Sequence, residues 1–201
     1  MKDLVKEVHD KARKENVPIM KDDGMKFLCA LLEKHKEVRD ILEIGTAVGY
    51  SAINMARIRW DMTIDTLEVN PDMYAQACHN VEAAGLSDRI SCHLIDAASY
   101  VTTKQYDLVF VDAAKSQYRR YLEHFYKNTH KGTIFVFDNL NFHGIVDDES
   151  LSHNRSTIQM IHKIKKFRDH IIHDPRFHTV FYGDVGDGVA VSIRIDDETE
   201  A

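Results

Sequence analysis

Three cysteines in 201 residues, Cys29, Cys78 and Cys92, are odd in number and scattered, with no Cys-x-x-Cys among them. They read as reduced thiols, which points to a reducing compartment. No apolar run approaches the ~18 residues of a membrane span. The first residues, Met1-Lys-Asp-Leu-Val-Lys-Glu7, are charged and amphipathic, without a signal peptide's apolar stretch, so a cytoplasmic location and no membrane partner are expected. Positive charge is not in excess. Lys and Arg number 26 against 32 Asp and Glu, a formal charge of −6, so any nucleic-acid contact needs a local basic patch. Two phosphate signatures are missing as well: no Gly-x-Gly-x-x-Gly follows a strand, and no Gly-Lys-Ser/Thr closes a phosphate loop.

What is present fits one globular domain spanning residues 1–201, with 44% apolar and 29% charged residues. Short apolar runs near 40–44, 63–68, 90–94, 106–111 and 133–137 read as strands, and the stretches near 50–59, 71–84, 116–127 and 154–173 read as helices. Such alternation predicts βαβ units and a mostly parallel sheet with helices on both faces. Two further runs, 177–182 and 189–195, flank the glycine-rich Gly183-Asp-Val-Gly-Asp-Gly188 and predict a C-terminal antiparallel hairpin, for seven strands in all. Two helices are expected before the first strand. One covers residues 3–15 and the other starts at Asp22, with an extended break at Asn16-Val-Pro-Ile-Met20 because Pro18 disfavours helix before it.

The stretch Ile41-Leu-Glu-Ile-Gly-Thr-Ala-Val-Gly-Tyr-Ser51 joins a buried strand to a helix through a turn bracketed by Gly45 and Gly49. Such a turn offers bare backbone N–H groups and a positive helix end to a ligand, although a plain strand-to-helix connection has the same pattern. Glu68 ends the second strand, where an acid accepts hydrogen bonds from a ribose; the competing role is a cap for the helix starting at Pro71.

Two more apolar runs end in oxygen-bearing side chains: Leu108-Val-Phe-Val111 leads into Asp112-Ala-Ala-Lys115, and Ile134-Phe-Val-Phe137 into Asp138-Asn139. In a parallel sheet all three oxygen donors lie on one rim with Gly45. Two carboxylates and an amide carbonyl suit Mg²⁺, Mn²⁺ or Ca²⁺ better than zinc; singly, each residue is a common cap or turn former. Lys115, three residues beyond Asp112, is either a general base beside such a cation or an ordinary surface lysine.

Together, Ile41-Leu-Glu-Ile-Gly-Thr-x-x-Gly-Tyr-Ser51, Glu68, Asp112-Ala-Ala-Lys115 and Asp138-Asn139 resemble the cation-dependent class I O-methyltransferases, the catechol and caffeoyl-CoA enzymes among them. The resemblance runs from about residue 17 to 195. Val17-Pro-Ile-Met20, Asn141-Phe-His-Gly144 and Gly186-Asp-Gly-Val-Ala-Val-Ser192 are most similar to the bacterial tRNA 5-hydroxyuridine methyltransferases. It implies a Rossmann-like methyltransferase fold, S-adenosylmethionine as methyl donor, Mg²⁺ or Mn²⁺, and a homodimer. Glu43, Gly45, Thr46, Gly49, Tyr50 and Ser51 match positions holding the donor's methionine part, Glu68 the ribose ligand, and Asp96 and Ala97 the adenine contact. Met20 falls in a loop that covers the cofactor, within N-terminal helices spanning residues 1–36. Asp112, Asp138 and Asn139 match the metal ligands, Asp112 also bordering cofactor and chemistry, and Lys115 matches the catalytic lysine. No counterpart of the animal catechol enzyme's additional acidic substrate residue is found, which disfavours a simple catechol.

The implied acceptor is the 5-hydroxyl of wobble 5-hydroxyuridine in tRNA. The rival is a small phenolic substrate, a catechol or a caffeoyl-CoA-like thioester; a rival of another class is a nucleotide-binding module without catalysis. Arg155, His162, Lys163, Lys165, Lys166 and Arg168 share one helical segment, a basic surface suited to phosphates on an acidic chain or simply a solvated face. Arg155 and His143 are candidate substrate contacts.

Overall fold

Apolar runs of five or six residues bounded by turn formers become strands, and their pairing decides which strand ends meet. The computed structural model describes residues 4–141 and 154–197. In it β1 (Asp40–Ile44), β2 (Thr63–Glu68), β3 (Ile90–Leu94), β4 (Tyr106–Val111), β5 (Thr129–Phe137), β6 (Phe177–Tyr182) and β7 (Val189–Arg194) form one sheet, in the order β3-β2-β1-β4-β5-β7-β6. β1 to β5 are parallel. β7 runs antiparallel to both β5 and β6, so the expected hairpin closes one edge. Strand order reverses between β1 and β4, and the crevice beyond their carboxyl ends is where open α/β sheets bind ligands.

The helices are α1 (Leu4–Lys14), α2 (Asp22–Lys34), α3 (Tyr50–Ile58), α4 (Pro71–Ala83), α5 (Tyr118–Phe125) and α6 (Arg155–His173). α4 starts where Pro71 costs no hydrogen bond, and Asn70 caps it by accepting from Asp72 N and Met73 N at 2.9 and 3.2 Å. Alternation along the strands splits the core in two. Ile41, Ile64, Leu108, Ile134 and Val136 pack against α1 to α4, while Leu42, Ile44, Val109, Val111, Phe135 and Phe137 pack against α5 and α6. Each such side chain contributes roughly 1.5–3 kcal/mol by leaving water.

Two boundaries differ from expectation. β5 begins at Thr129 rather than 133, because His130 N donates to Thr133 Oγ1 (3.0 Å) and Thr133 Oγ1 donates to Tyr106 O (2.8 Å). These bonds carry a polar, irregular stretch with Gly132 at φ +94° into the sheet. The helix expected over 116–127 is α5 flanked by two 3₁₀ turns, Lys115–Gln117 and Tyr126–Asn128. Cys29, Cys78 and Cys92 form no disulfide, and among the described residues no helix is long and apolar enough to cross a membrane.

Candidate functional site

The turn after β1 is shaped by what lies beside it. Gly45 has φ +102°, and a Cβ there would sit 2.1 Å from the Asp112 carbonyl oxygen, so only glycine lets the ends of β1 and β4 meet this closely. Gly49, at φ +80°, precedes α3 and approaches Ala77 of α4. Between them Ala47 is also left-handed, at φ 46°, with its N–H donated to Glu68 Oε2 at 2.8 Å. α3 has no side-chain cap, and its first residues, Tyr50 and Ser51, border the crevice.

Beneath the turn, Glu43 is fully buried and accepts hydrogen bonds from the Ser51 and Thr66 hydroxyls, while Thr66 Oγ1 lies 2.6 Å from Thr46 Oγ1. Burial pushes the Glu43 carboxyl up to about 7; the two hydroxyls oppose this, and the charges of Asp112 and Glu68 add to it. Glu43 therefore acts as a support under the loop, holding Ser51 and the threonines in place.

Above lies a cavity of about 450 Å³, of the size small-molecule ligands occupy. Gly45, Thr46, Tyr50, Ser51, Glu68, Asp112 and Lys115 all border it, and Val17, Pro18, Ile19 and Met20 form the wall before α2. Glu68 is fixed, accepting from Ala47 N, Val69 N and Asn70 N at 2.8–2.9 Å. The cap of α4 is Asn70, so Glu68 is not the helix cap that the sequence left open. At the apolar end are Met73, Ile95, Ala97 and Tyr121. Asp96 itself caps a 3₁₀ turn through Ala98 N (2.9 Å), and Ala97 reaches the cavity. Tyr121 went unnoticed in the sequence because it shares an aromatic stripe with Tyr118 and Phe125 that reads as core.

The carboxylate corner adjoins this cavity. β4 and β5 pair Val111 with Phe137, so Asp112 and Asp138 are the next residues on neighbouring strands. Asp112 N donates to Ile44 O (3.0 Å) and Asp138 N to Val111 O (3.1 Å), which extends the ladder to the rim. Asn139, at φ +64°, turns its amide so that Nδ2 donates to Asp112 Oδ1 at 2.8 Å. The three donors expected from the sequence are thus adjacent. Burial, and after it the charge of Asp112, pushes the Asp138 carboxyl up to about 7, against Asn139 N and the Lys115 ammonium. Asp112 is also raised by burial, opposed by Lys115 and Asn139. Two acids held this uncomfortably together, with an amide oxygen available by rotation of Asn139, fit a hard divalent cation, which would relieve both. Tyr118, buried among Phe137 and Phe167, donates to Asp138 O at 2.8 Å and steadies the corner from below.

Elsewhere, Glu123, His170 and Asp174 also converge, with ligand atoms within 4.8 Å of one another. Arg176 already supplies the cation there, at 2.7 Å from both Glu123 Oε1 and Asp174 Oδ2. On α6, Ile161, Ile164 and Phe167 are buried while Arg155, His162, Lys163 and Lys166 are exposed. Arg168 instead donates to Asn141 Oδ1 at 3.2 Å and lies over the Phe181 ring. His143 falls outside the described residues.

A family model described as O-methyltransferase matches residues 1–195. The chain belongs to the O-methyltransferase family. It is 34% identical over 132 residues to a catechol O-methyltransferase of Niastella koreensis, covering 62% of this chain and 59% of that protein, so the match spans less than two thirds of that relative. A catechol O-methyltransferase of Mycobacterium tuberculosis is 31% identical over 160 residues, 76% of this chain and 72% of the relative. In three dimensions the chain is similar to an O-methyltransferase from Bacillus cereus solved in complex with SAH, the demethylated cofactor. The TM-score is 0.80 at 27% identity, over 96% of this chain and 92% of that one. O-methyltransferases join a donor site to an acceptor site, and here Asp112 belongs to both the cavity and the carboxylate corner.

Proposed function

We propose that the protein transfers the methyl group of S-adenosylmethionine to a hydroxyl whose neighbouring oxygen is chelated with it on a divalent cation. The observation that carries this reading is the position of Asp112, which borders the cavity and meets Asn139 beside Asp138. The donor's methionine part would lie over Gly45, Thr46, Tyr50 and Ser51, with Glu68 accepting from the ribose hydroxyls and Met20 covering it; Glu43 and Gly49 act from behind. Asp112, Asp138 and Asn139 would hold Mg²⁺ or Mn²⁺. When bound, the cation orients two adjacent acceptor oxygens and lowers the pKa of the hydroxyl. Lys115, which also borders the cavity, would take the hydroxyl proton as the neutral amine, after releasing its own proton to water. A sulfonium methyl is already activated, so the chain mainly has to align donor and acceptor and exclude water, to which the apolar wall of Val17, Ile19 and Met20 contributes.

The acceptor we propose is the 5-hydroxyl of wobble 5-hydroxyuridine in tRNA, whose O4 supplies the second oxygen. It draws support from the exposed Arg155, His162, Lys163 and Lys166 on α6, a local basic stripe on a chain of net charge −6. A catechol offers the same pair of oxygens, and the catechol activity named for both relatives favours this second reading. Methyl incorporation from labelled donor into hydroxyuridine-containing tRNA, run beside a panel of catechols and phenylpropanoid thioesters, separates them. Labelling of tRNA is expected, and labelling of the small molecules alone rejects the tRNA acceptor.

A further inference from the structure

We propose that Lys21 and Asp187 form a clasp through which methyl-donor binding and cation binding reinforce each other. This deepens the function proposed above and rests on it. The clasp joins two segments distant in the chain. Residues 17–20 wall the donor cavity, and Lys21 follows directly, extended at φ −63°, ψ 153° and making no side-chain cap for α2. Its ammonium reaches across to the β6–β7 loop instead, donating to Gly186 O at 3.2 Å and lying 3.5 Å from Asp187 Oδ1. Two residues on, Asp23 Oδ2 accepts from Gly186 N at 2.9 Å.

The same loop grips the carboxylate corner from its other side. Gly188 O accepts from Leu140 N (2.8 Å), Asp187 O from Asn141 N (2.7 Å) and Gly183 O from Asn141 Nδ2 (2.7 Å), all within three residues of Asp138. The loop packs against both attachments, in ordinary contact at Gly186 and most tightly at Gly188. A Cβ on Gly186 would lie 3.4 Å from Gly24 Cα and 3.6 Å from Asp138 Oδ1, and one on Gly188 would lie 2.7 Å from Asn141 N. The loop is therefore a wedge, with the donor wall on one side and the metal-ligand segment on the other.

Charge adds to the geometry. Asp187 is only 4% exposed and adds a second negative charge beside Asp138, after that of Asp112. Lys21 is 45% exposed, so water screens its end of the pair, while Asp187 at the other end is buried. The pair's effect lies in what it connects: a donor that draws residues 17–20 onto the cavity pulls on the loop through Lys21, and the loop sets Asp138 and Asn139. By linkage, a cation that orders Asp138 and Asn139 tightens the donor wall by the same factor.

The test measures Mn²⁺ affinity by electron paramagnetic resonance, with and without saturating S-adenosylhomocysteine. This donor product lacks the sulfonium charge and so cannot repel the cation directly. In the wild-type protein the product should tighten Mn²⁺ binding about fivefold or more, the lower end of allosteric couplings. Lys21→Met and Asp187→Asn should each reduce that factor to below about twofold, and Lys21→Arg should retain it. Lys21→Met decides the matter should Asp187→Asn fail to fold. Variants that weaken both ligands yet keep the wild-type factor reduce the clasp to a structural brace and overturn the proposal, as does a wild-type protein without coupling. A wild-type protein that binds neither ligand overturns the underlying function and the clasp with it; one that binds both with the factor unchanged in the variants overturns the clasp alone.

Discussion

Gly45 is the residue at which sequence, backbone and chemistry meet. Its φ of +102° and the Asp112 carbonyl in the place of a Cβ mean that Gly45→Ala must either strain the backbone or part β1 from β4. A loss of about 3 kcal/mol or more in urea unfolding is expected, together with loss of donor binding by calorimetry. Glu43 makes a pH prediction. Its folded-state pKa of about 7 lies above the ordinary 4.5, so the folded protein holds a proton that the unfolded chain releases between those values. Stability from this group is present below pH 4.5 and declines as pH rises to 7, by at most about 3 kcal/mol. Glu43→Gln removes that titration. Relative to wild type, the variant's stability should improve steadily from pH 4.5 to 7.5, and a difference that stays flat across that range contradicts the buried, raised carboxyl. The residue type at position 43 was legible in the sequence as part of a motif. Its role as a support under the turn was not, because the Ser51 and Thr66 hydroxyls that hold it come from another helix and another strand.

At the scale of elements, α4 and α6 can be probed separately. Asn70→Ala removes the two hydrogen bonds that start α4 and should cost about 1 kcal/mol, a fall of roughly 2–4 °C in melting temperature for a domain of this size. α6 carries the acceptor question. Replacing Arg155, Lys163 and Lys166 by Glu leaves its buried Ile161, Ile164 and Phe167 in place, so the helix should remain folded. tRNA retention should drop at least tenfold and its salt dependence should flatten, while methylation of any small catechol is unchanged. Equal tRNA retention in filter binding shows that the stripe is only a solvated face. The sequence predicted a helix over 154–173, and α6 spans Arg155–His173. It could not predict that Arg168 leaves the stripe to bond Asn141, nor that β5 starts four residues early, since a tertiary hydrogen bond to Tyr106 O overrides the turn-like look of His130-Lys131-Gly132.

At the scale of the whole molecule, the cavity and the carboxylate corner share Asp112. Asp138 does not border the cavity, whereas Asp112 does. Asp138→Ala should therefore abolish cation-dependent methyl transfer while changing S-adenosylhomocysteine affinity less than threefold by calorimetry; full turnover of that variant in chelator removes the metal from the reaction. Local sequence determined the repeating strand and helix pattern, the glycine turn and the oxygen donors at strand ends, because period, backbone freedom and side-chain chemistry are properties of short stretches. Only the tertiary structure decided that Val111 pairs with Phe137, that Gly45 stands against Asp112, and that the β6–β7 loop is wedged between α2 and Asp138. Those contacts join residues far apart in the chain, and packing of the two faces of the sheet, rather than any local preference, brings them together.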